Sequence, residues 1–315
     1  MLRAASVRDK KVYIGPEILY LPVTNRCNLS CQFCWFYSPD NPAQPYAQKD
    51  MPLERVQQII RDCVALKVDS LEISGDGEPT LYPYFSEMMD FFEEKPIAIT
   101  LFTNGTFPSA MSTDVAKADD VIINLSAVDR DGYHQLHGKD LFDRAIDNIR
   151  QLVRLRDTGR SSLRIKVIYV INRMNYQQID VARRLTQGLG VDTFVPTVMN
   201  EYAWNRNVRV DVAPGIFSGE GGISEVCFNG WFYTILDLDG KIRLCFQVPN
   251  IEVLNITGKS FSEVWSSDAF MQARLAGKHG QWSKKFKDCQ ACVRFRQNMN
   301  VVKAIYRLKQ YCSAD

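Results

Sequence analysis

Histidine is scarce in this chain of 315 residues: there are three, His134, His137 and His279. Zinc sites that mix cysteine with histidine therefore have few places to form. Net charge is nearly absent, with 38 basic against 36 acidic residues and a balance of +2. That balance gives no electrostatic reason to expect nucleic acid as a partner. No apolar run approaches the roughly 18 to 20 residues needed to span a bilayer, so no membrane partner is expected. The basic start, Met1 to Lys11, lacks the apolar stretch of a secretory signal, which predicts a cytoplasmic protein. Internal repeats and low-complexity segments are missing too. With 46% hydrophobic and 11% aromatic residues, the chain has the composition of a folded protein and not of a disordered one. What it does have is cysteine, nine in all. Disulfides explain them poorly in a cytoplasmic chain, and metal binding is the better default.

Apolar runs and helical periodicities alternate along the first two thirds. Ile18 to Val23, Ser70 to Ser74, Ile97 to Phe102, Val121 to Ser126, Leu163 to Val170 and Thr193 to Val198 read as buried strands. Between them lie helical patterns. One starts near Pro52 and carries Leu53, Val56, Ile59, Ile60, Cys63 and Val64. Others cover Tyr84 to Glu94, Ser109 to Ala118, Phe142 to Leu155 and Tyr176 to Leu189. Six such alternations predict an α/β fold with a parallel sheet and helices outside it. In such sheets functional residues gather where strands end. Here cysteines follow the first strand, Gly75-Asp76-Gly77-Glu78-Pro79 the second, Thr103-Asn104-Gly105 the third, and Ser126 closes the fourth. After residue 198 the pattern changes. Asp239-Gly240 between two apolar runs signals a hairpin, and Ser260 with Glu263 fits a helix capping box.

Cys27, Cys31 and Cys34 form a C-x3-C-x2-C triplet in the loop after the first strand. Three thiolates leave one iron of a [4Fe-4S] cube without a protein ligand, open to a substrate or cofactor. Zinc would want a fourth Cys or His nearby, and no histidine is close in sequence.

With Phe33 just before the third cysteine and Gly77-Glu78-Pro79 after the second strand, the chain resembles the radical S-adenosylmethionine (SAM) superfamily. Asp76 stands where that superfamily's GGEP element has its first glycine, and the stretch from Val121 to Gly138 is similar to its fourth-strand region. The resemblance covers about residues 18 to 200 and implies a partial (β/α)6 TIM-like barrel. It implies roles as well. Cys27, Cys31 and Cys34 would hold the cluster, and Phe33 would meet adenine. The Gly77 carbonyl and Glu78 would receive the SAM ammonium. Ser126 would touch the ribose or carboxylate, and Lys166 the carboxylate or the substrate. Without the motif, Glu78 reads as a loop acid, Ser126 as a strand-end turn serine and Lys166 as a solvated strand-end lysine. The implied chemistry is reductive cleavage of SAM to a 5′-deoxyadenosyl radical that abstracts hydrogen from an unactivated C–H bond.

A second set follows: Cys227 and Cys245 on either side of the hairpin, then Cys289-x2-Cys292. Four cysteines close a zinc ribbon or a second [4Fe-4S] cluster, and spacing alone does not separate these. Behind such a barrel the layout resembles the twitch domain, a shortened SPASM domain, which implies one auxiliary cluster. Only Cys312 follows Cys292, too few for a third. Cys63 reads as a packed core thiol and Cys312 as inert. From Lys278 to Lys309 there are nine basic residues and one acid, Asp288. That stretch reads as a solvated face, or as a guide for an acidic flavodoxin- or ferredoxin-type electron donor.

The expected domains are an N-terminal extension at 1–17, the barrel at 18–200, a substrate loop at 201–226, and a hairpin-plus-helix auxiliary domain at 227–315. Tyr202 and Arg206, with Trp204 and Asn205 between them, suit a small polar ligand, although an ordinary linker would look the same. The four-cysteine layout resembles that of an aminocyclitol dehydrogenase. With seven cysteines assigned to clusters, oxidation of a carbinol to a ketone is favoured over epimerisation, which needs a hydrogen donor such as Cys312 or Tyr202. The expected substrate is a small polar aminocyclitol or amino sugar. A peptide-modifying maturase is the competing enzyme class, and 26 residues before Cys27 are few for a leader-recognition domain. The end of the chain, Cys-Ser-Ala-Asp, departs from the Gly-Gly of the cofactor cyclases. An iron–sulfur sensor or carrier is the non-enzyme alternative.

Overall fold

The computed structural model of the chain describes residues 2–34, 36–41, 47–159, 162–198, 226–245, 252–285, 289, 300, 301 and 303. In chain order the elements begin with α1 (Leu2–Asp9), β1 (Ile18–Leu21), α2 (Leu53–Ala65), β2 (Ser70–Ile73), α3 (Phe85–Glu93) and β3 (Ala98–Thr103). There follow α4 (Ser112–Val115), β4 (Asp120–Asn124), α5 (Arg130–His137), α6 (Phe142–Thr158), β5 (Arg164–Ile171), α7 (Ile179–Gly188) and β6 (Thr193–Val198). The later part contains α8 (Asn229–Phe232), β7 (Tyr233–Leu236), β8 (Lys241–Arg243), β9 (Glu252–Asn255), α9 (Phe261–Trp265), α10 (Asp268–Lys278) and α11 (Gln281–Lys285).

Two units interleave along the chain, one made of residues 1–20, 58–71 and 218–315, the other of 21–57 and 72–217. Strand β2 is divided evenly between the two, and of β1 only Leu21 falls in the larger unit.

The larger unit holds strands β6-β5-β4-β3 in that order, parallel to one another, with the carboxyl ends of β2 and β1. Val121 of β4 stands level with Ile165 of β5, and Val167 of β5 level with Phe194 of β6. Strand β5 shows why the sequence folds this way. Ile165, Val167, Tyr169 and Ile171 alternate with half-buried residues, and Tyr169 and Ile171 form a core cluster with Ala182 of α7. Period-two burial against period-3.6 helices is the packing of a partial TIM-like barrel. Helix α6 buries Ile146, Ile149 and Leu152 on one face, as its spacing predicts. The predicted helix at Ser109 to Ala118 is instead a 3₁₀ turn, Ser109–Met111, followed by the single turn of α4. Its Ser-Thr-Asp run follows Pro108 and holds helix poorly.

In the smaller unit β1 pairs in parallel with β7, Ile18 opposite Tyr233 and Tyr20 opposite Ile235. Strands β7, β8 and β9 form an antiparallel meander. Its first turn rests on Gly240, whose φ of 77° favours glycine. The capping box at Ser260 and Glu263 starts α9 with both reciprocal hydrogen bonds formed. Helix α1, within the stretch expected as an extension, packs Val7 against Phe228 and Trp231. No helix among the described residues is long and apolar enough to cross a membrane.

Candidate iron–sulfur and SAM site

Strand β1 delivers the chain into the cysteine loop, which is tied at its base. Thr24 Oγ1 donates to Asp50 Oδ1 at 2.6 Å, and Arg26 Nε reaches the same carboxylate at 2.9 to 3.0 Å. Asn25 spans the loop, donating to Ala47 O and accepting from Lys49 N. Between these ties Cys27, Cys31 and Cys34 are half-buried, with Cys34 N closing a turn onto Cys31 O at 2.9 Å.

Burial pushes all three thiols up, Cys27 to about 12, and on Cys31 the neighbouring Cys34 and Cys27 sulfurs push further. Backbone N–H groups act the other way: Leu29 and Asn28 on Cys27, Tyr37 and Phe36 on Cys34. The Tyr37 N–H lies 3.2 Å from Cys34 Sγ. Three mutually close thiols that would stay protonated alone, met by N–H donors aimed at sulfur, suit a cationic iron centre that holds them as thiolates. Among the described residues no three His, Cys, Asp or Glu side chains converge as ligands of one mononuclear ion. A cube distributes its thiolates over separate irons and asks for no such convergence.

The turn after β2 packs directly on the cysteine loop. Glu78 N donates to Arg26 O at 2.7 Å, and a Cβ on Gly77 would lie 2.3 Å from that same oxygen. Only glycine allows this approach. Glu78 is buried and its carboxylate is fully engaged. Oε1 accepts from Thr80 N, Thr80 Oγ1 and Thr103 Oγ1, and Oε2 accepts from Asn104 N. Burial pushes this carboxyl up while those donors pull it back. Glu78 thus ties the carboxyl ends of β2 and β3 together beside the cysteines.

Ser126, just beyond β4, is also buried. Its hydroxyl donates to Asn124 Oδ1 at 2.6 Å and accepts from Val170 N at 3.0 Å. Lys166 stands near the amino end of β5, opposite Ile122 of β4, and its Nζ lies 2.7 Å from Asp120 Oδ1. Cysteines, Gly77, Glu78 and Phe33 are brought together, whereas Lys166 is engaged near the other end of its strand. Tyr202 and Arg206 lie outside the described residues.

His137 carries no motif in the sequence. It ends α5, which Asp129 caps at the start and Gly138, at φ 77°, caps at the end. Its Nδ1 lies 3.1 Å from Cys31 Sγ, and burial holds the imidazole down to about 3. The Asp129 and Gly138 cap signals could have revealed the helix. The contact with Cys31 spans 106 residues and leaves no local trace.

In the smaller unit Cys227 and Cys245 are half-buried, and their chain neighbours are tied by hydrogen bonds. Asn229 Nδ2 donates to Leu244 O at 2.9 Å, and Cys227 N donates to Gly277 O at 3.0 Å. A Cβ on Gly277 would lie 2.7 Å from Cys227 O, so this glycine lets α10 reach the Cys227 backbone. Arg274 of α10 is buried, with its guanidinium 4.0 Å from the Trp265 ring and 4.1 Å from that of Phe270. Cys289 is half-buried, and Cys292 lies outside the described residues.

The profile of the radical SAM superfamily matches residues 21–185, and that of SPASM, an iron–sulfur cluster-binding domain, matches residues 227–293. A tungsten-containing aldehyde ferredoxin oxidoreductase cofactor-modifying protein of Pyrococcus furiosus is 21% identical over 311 residues, 84% of each chain. A probable GTP 3′,8-cyclase of Methanocella arvoryzae is 29% identical over 166 residues, 51% of this chain and 50% of its own. The chain thus spans about half the length of that cyclase. Among solved structures, Streptococcus suis SuiB bound to S-adenosylmethionine has a TM-score of 0.68 at 18% identity, over 86% of this chain and 70% of its own. BtrN in complex with AdoMet and 2-DOIA has a TM-score of 0.54 at 14% identity, over 89% and 94%. At those identities the likeness is one of fold.

Proposed function

The chain belongs to the radical SAM superfamily and carries a SPASM-type domain, so that its cofactors are SAM and two [4Fe-4S] clusters; from that premise we propose that it oxidises a secondary alcohol of a small polar aminocyclitol or amino sugar to a ketone, with the auxiliary cluster as electron acceptor. In this reading Cys27, Cys31 and Cys34 hold the SAM-binding cluster, and Cys227, Cys245, Cys289 and Cys292 the auxiliary one. SAM bound at the first cluster supplies, on one-electron reduction, a 5′-deoxyadenosyl radical able to take hydrogen from an unactivated C–H bond.

The protein's part is to bind, orient and exclude water. Gly77 presents a bare backbone carbonyl beside the cysteine loop for the SAM ammonium. Glu78 adds a buried carboxylate held rigid by its four donors, and negative charge there favours an ammonium over neutral competitors. Phe33 offers a ring to adenine, and Ser126 a fixed hydroxyl at the end of β4. Tyr202 and Arg206 are assigned to the substrate, Arg206 as a fixed positive charge, and the hydroxyl proton passes to a base as the carbinol carbon loses its hydrogen atom. Lys166 lends positive charge to the sheet through its pair with Asp120. An acidic flavodoxin- or ferredoxin-type protein delivers the starting electron.

The observation that favours oxidation is the burial of Cys63. It is the one described cysteine outside the two cluster sets, it is 0% exposed, and burial pushes its thiol well above the usual value. A thiol packed inside α2 is in no position to return hydrogen to a substrate radical. The test is turnover in D2O with candidate aminocyclitols under anaerobic reduction. A product two mass units lighter, formed one-for-one with 5′-deoxyadenosine, supports the reading. A product one unit heavier with an inverted carbinol carbon makes the enzyme an epimerase, and modification confined to a peptide makes it a maturase.

A further inference from the structure

The imidazole of His137 has no part in the chemistry just assigned, yet it is 0% exposed and touches a cluster cysteine. Nδ1 lies 3.1 Å from Cys31 Sγ, and Nε2 has no hydrogen-bond partner among the described residues. An iron-bound thiolate has lone pairs and no proton. Two acceptors facing each other at that distance would repel, so the proton sits on Nδ1 and Nε2 is the bare acceptor. A hydrogen bond to a charged sulfur outweighs one neutral acceptor left alone.

The ring is held in that orientation. Tyr133, one turn earlier on α5, stacks on it at 4.2 Å and 25°, and Phe33 meets its edge at 5.5 Å and 83°. The backbone fixes Cys31 against the same helix from both sides. Ser30 N donates to His137 O at 3.1 Å and Gln32 N to Leu136 O at 2.9 Å, so the residues flanking Cys31 are both tied to the last turn of α5. Gly138 has a φ of 77°, which favours glycine, and a Cβ there would lie 3.0 Å from the Ser30 backbone oxygen.

We propose that His137 is a positioning residue that donates Nδ1–H to Cys31 Sγ and raises the reduction potential of the SAM-binding cluster. An N–H···S bond withdraws negative charge from the thiolate, and the reduced cluster, being more negative, gains more from it than the oxidised one. A donor of moderate strength then suffices to deliver the one electron. The proposal rests on the assignment of a cluster to Cys27, Cys31 and Cys34 and not on the choice of substrate. Iron content separates a failure of that assignment from a failure of this one.

The experiment is a redox titration of the anaerobic holoenzyme followed by electron paramagnetic resonance, using the signal that changes when SAM is added. His137→Phe keeps a ring against Tyr133 and removes the donor. At a fixed poise its reduced-to-oxidised ratio is expected to fall about tenfold, equivalent to about 59 mV for one electron. His137→Asn places an amide N–H near the Nδ1 position and is expected to restore most of the ratio. Full iron loading with an unchanged ratio in His137→Phe overturns the proposal, and so does an equal fall in both variants, which would mark a packing role. Should His137→Phe fail to load iron, wild-type holoenzyme labelled with ¹⁵N-histidine decides. A ¹⁵N coupling to the reduced SAM-responsive cluster supports the hydrogen bond, and its absence overturns it.

Discussion

The backbone N–H of Asn104 donates to Glu78 Oε2 at 2.7 Å, joining the loop that follows β3 to the one that follows β2. Both loops belong to the rim where the cysteines sit, so this single carboxylate shapes the floor on which SAM is proposed to rest. An amide cannot replace it. Either orientation of a glutamine points N–H2 at the Asn104 N–H or at the Thr80 and Thr103 donors. Glu78→Gln is therefore expected to lower stability by about 1 to 3 kcal/mol in chemical denaturation. It should also raise the apparent SAM dissociation constant roughly tenfold. A variant with unchanged stability would mean that the carboxylate is not the tie described, and unchanged SAM affinity would remove Glu78 from the SAM site.

Anaerobically reconstituted protein is expected to carry about eight irons per chain. Replacing Cys27, Cys31 and Cys34 together by alanine should leave about four and abolish formation of 5′-deoxyadenosine. Zinc retained by Cys227, Cys245, Cys289 and Cys292 in anaerobic preparations would defeat the assignment of the second cluster.

Gly77→Ala is expected to displace the cysteine loop, because its Cβ would sit 2.3 Å from Arg26 O and 2.5 Å from Asn25 C, both backbone. Iron should fall from about eight to about four per chain. Gly188→Ala is the control, since nothing lies within 4 Å of a Cβ there. Equal iron in both variants would show that the turn yields without cost.

Asp120 offers a pH test of the β4–β5 edge. Burial pulls its carboxyl up, but Arg164 and Lys166 outweigh that and hold it below the usual carboxylate range. A depressed folded-state value gives stability above the unfolded pKa, near 3.9, that is lost as pH falls through the folded one. The melting temperature of wild type should therefore exceed that of Asp120→Asn at pH 7, modestly because Arg164 is exposed. The gap should close as the pH is lowered below about 4. A gap that persists in strong acid would place the effect outside this ion pair.

Much of this was legible in the sequence because burial repeats along it. The alternation in Arg164–Ile171 and the stripe on Phe142–Thr158 are local, and they are the same in the fold. Cysteine spacing and the GDGEP turn were legible because rigid ligand geometry forces close spacing. Three things were not. Helix α1 has no amphipathic stripe and is helical because Val7 finds Phe228 and Trp231 far along the chain. Strand β9, Glu-Val-Leu-Asn, has two adjacent apolar residues and no alternation, so no period marks it. His137 looked like any lone histidine on a helix, and its meaning depends on which loop the finished fold brings against it.

The tie between α5 and the cysteine loop also sets an order of events in the cell. Cys31 and His137 are 106 residues apart, so at about 5 to 20 residues per second the cysteine loop leaves the ribosome roughly 5 to 20 s before the helix that will brace it. During that interval three oxidisable thiols have no α5 against them. Iron delivered then meets a loop without its brace; iron delivered later meets one whose residues Ser30 and Gln32 are already bonded to His137 and Leu136.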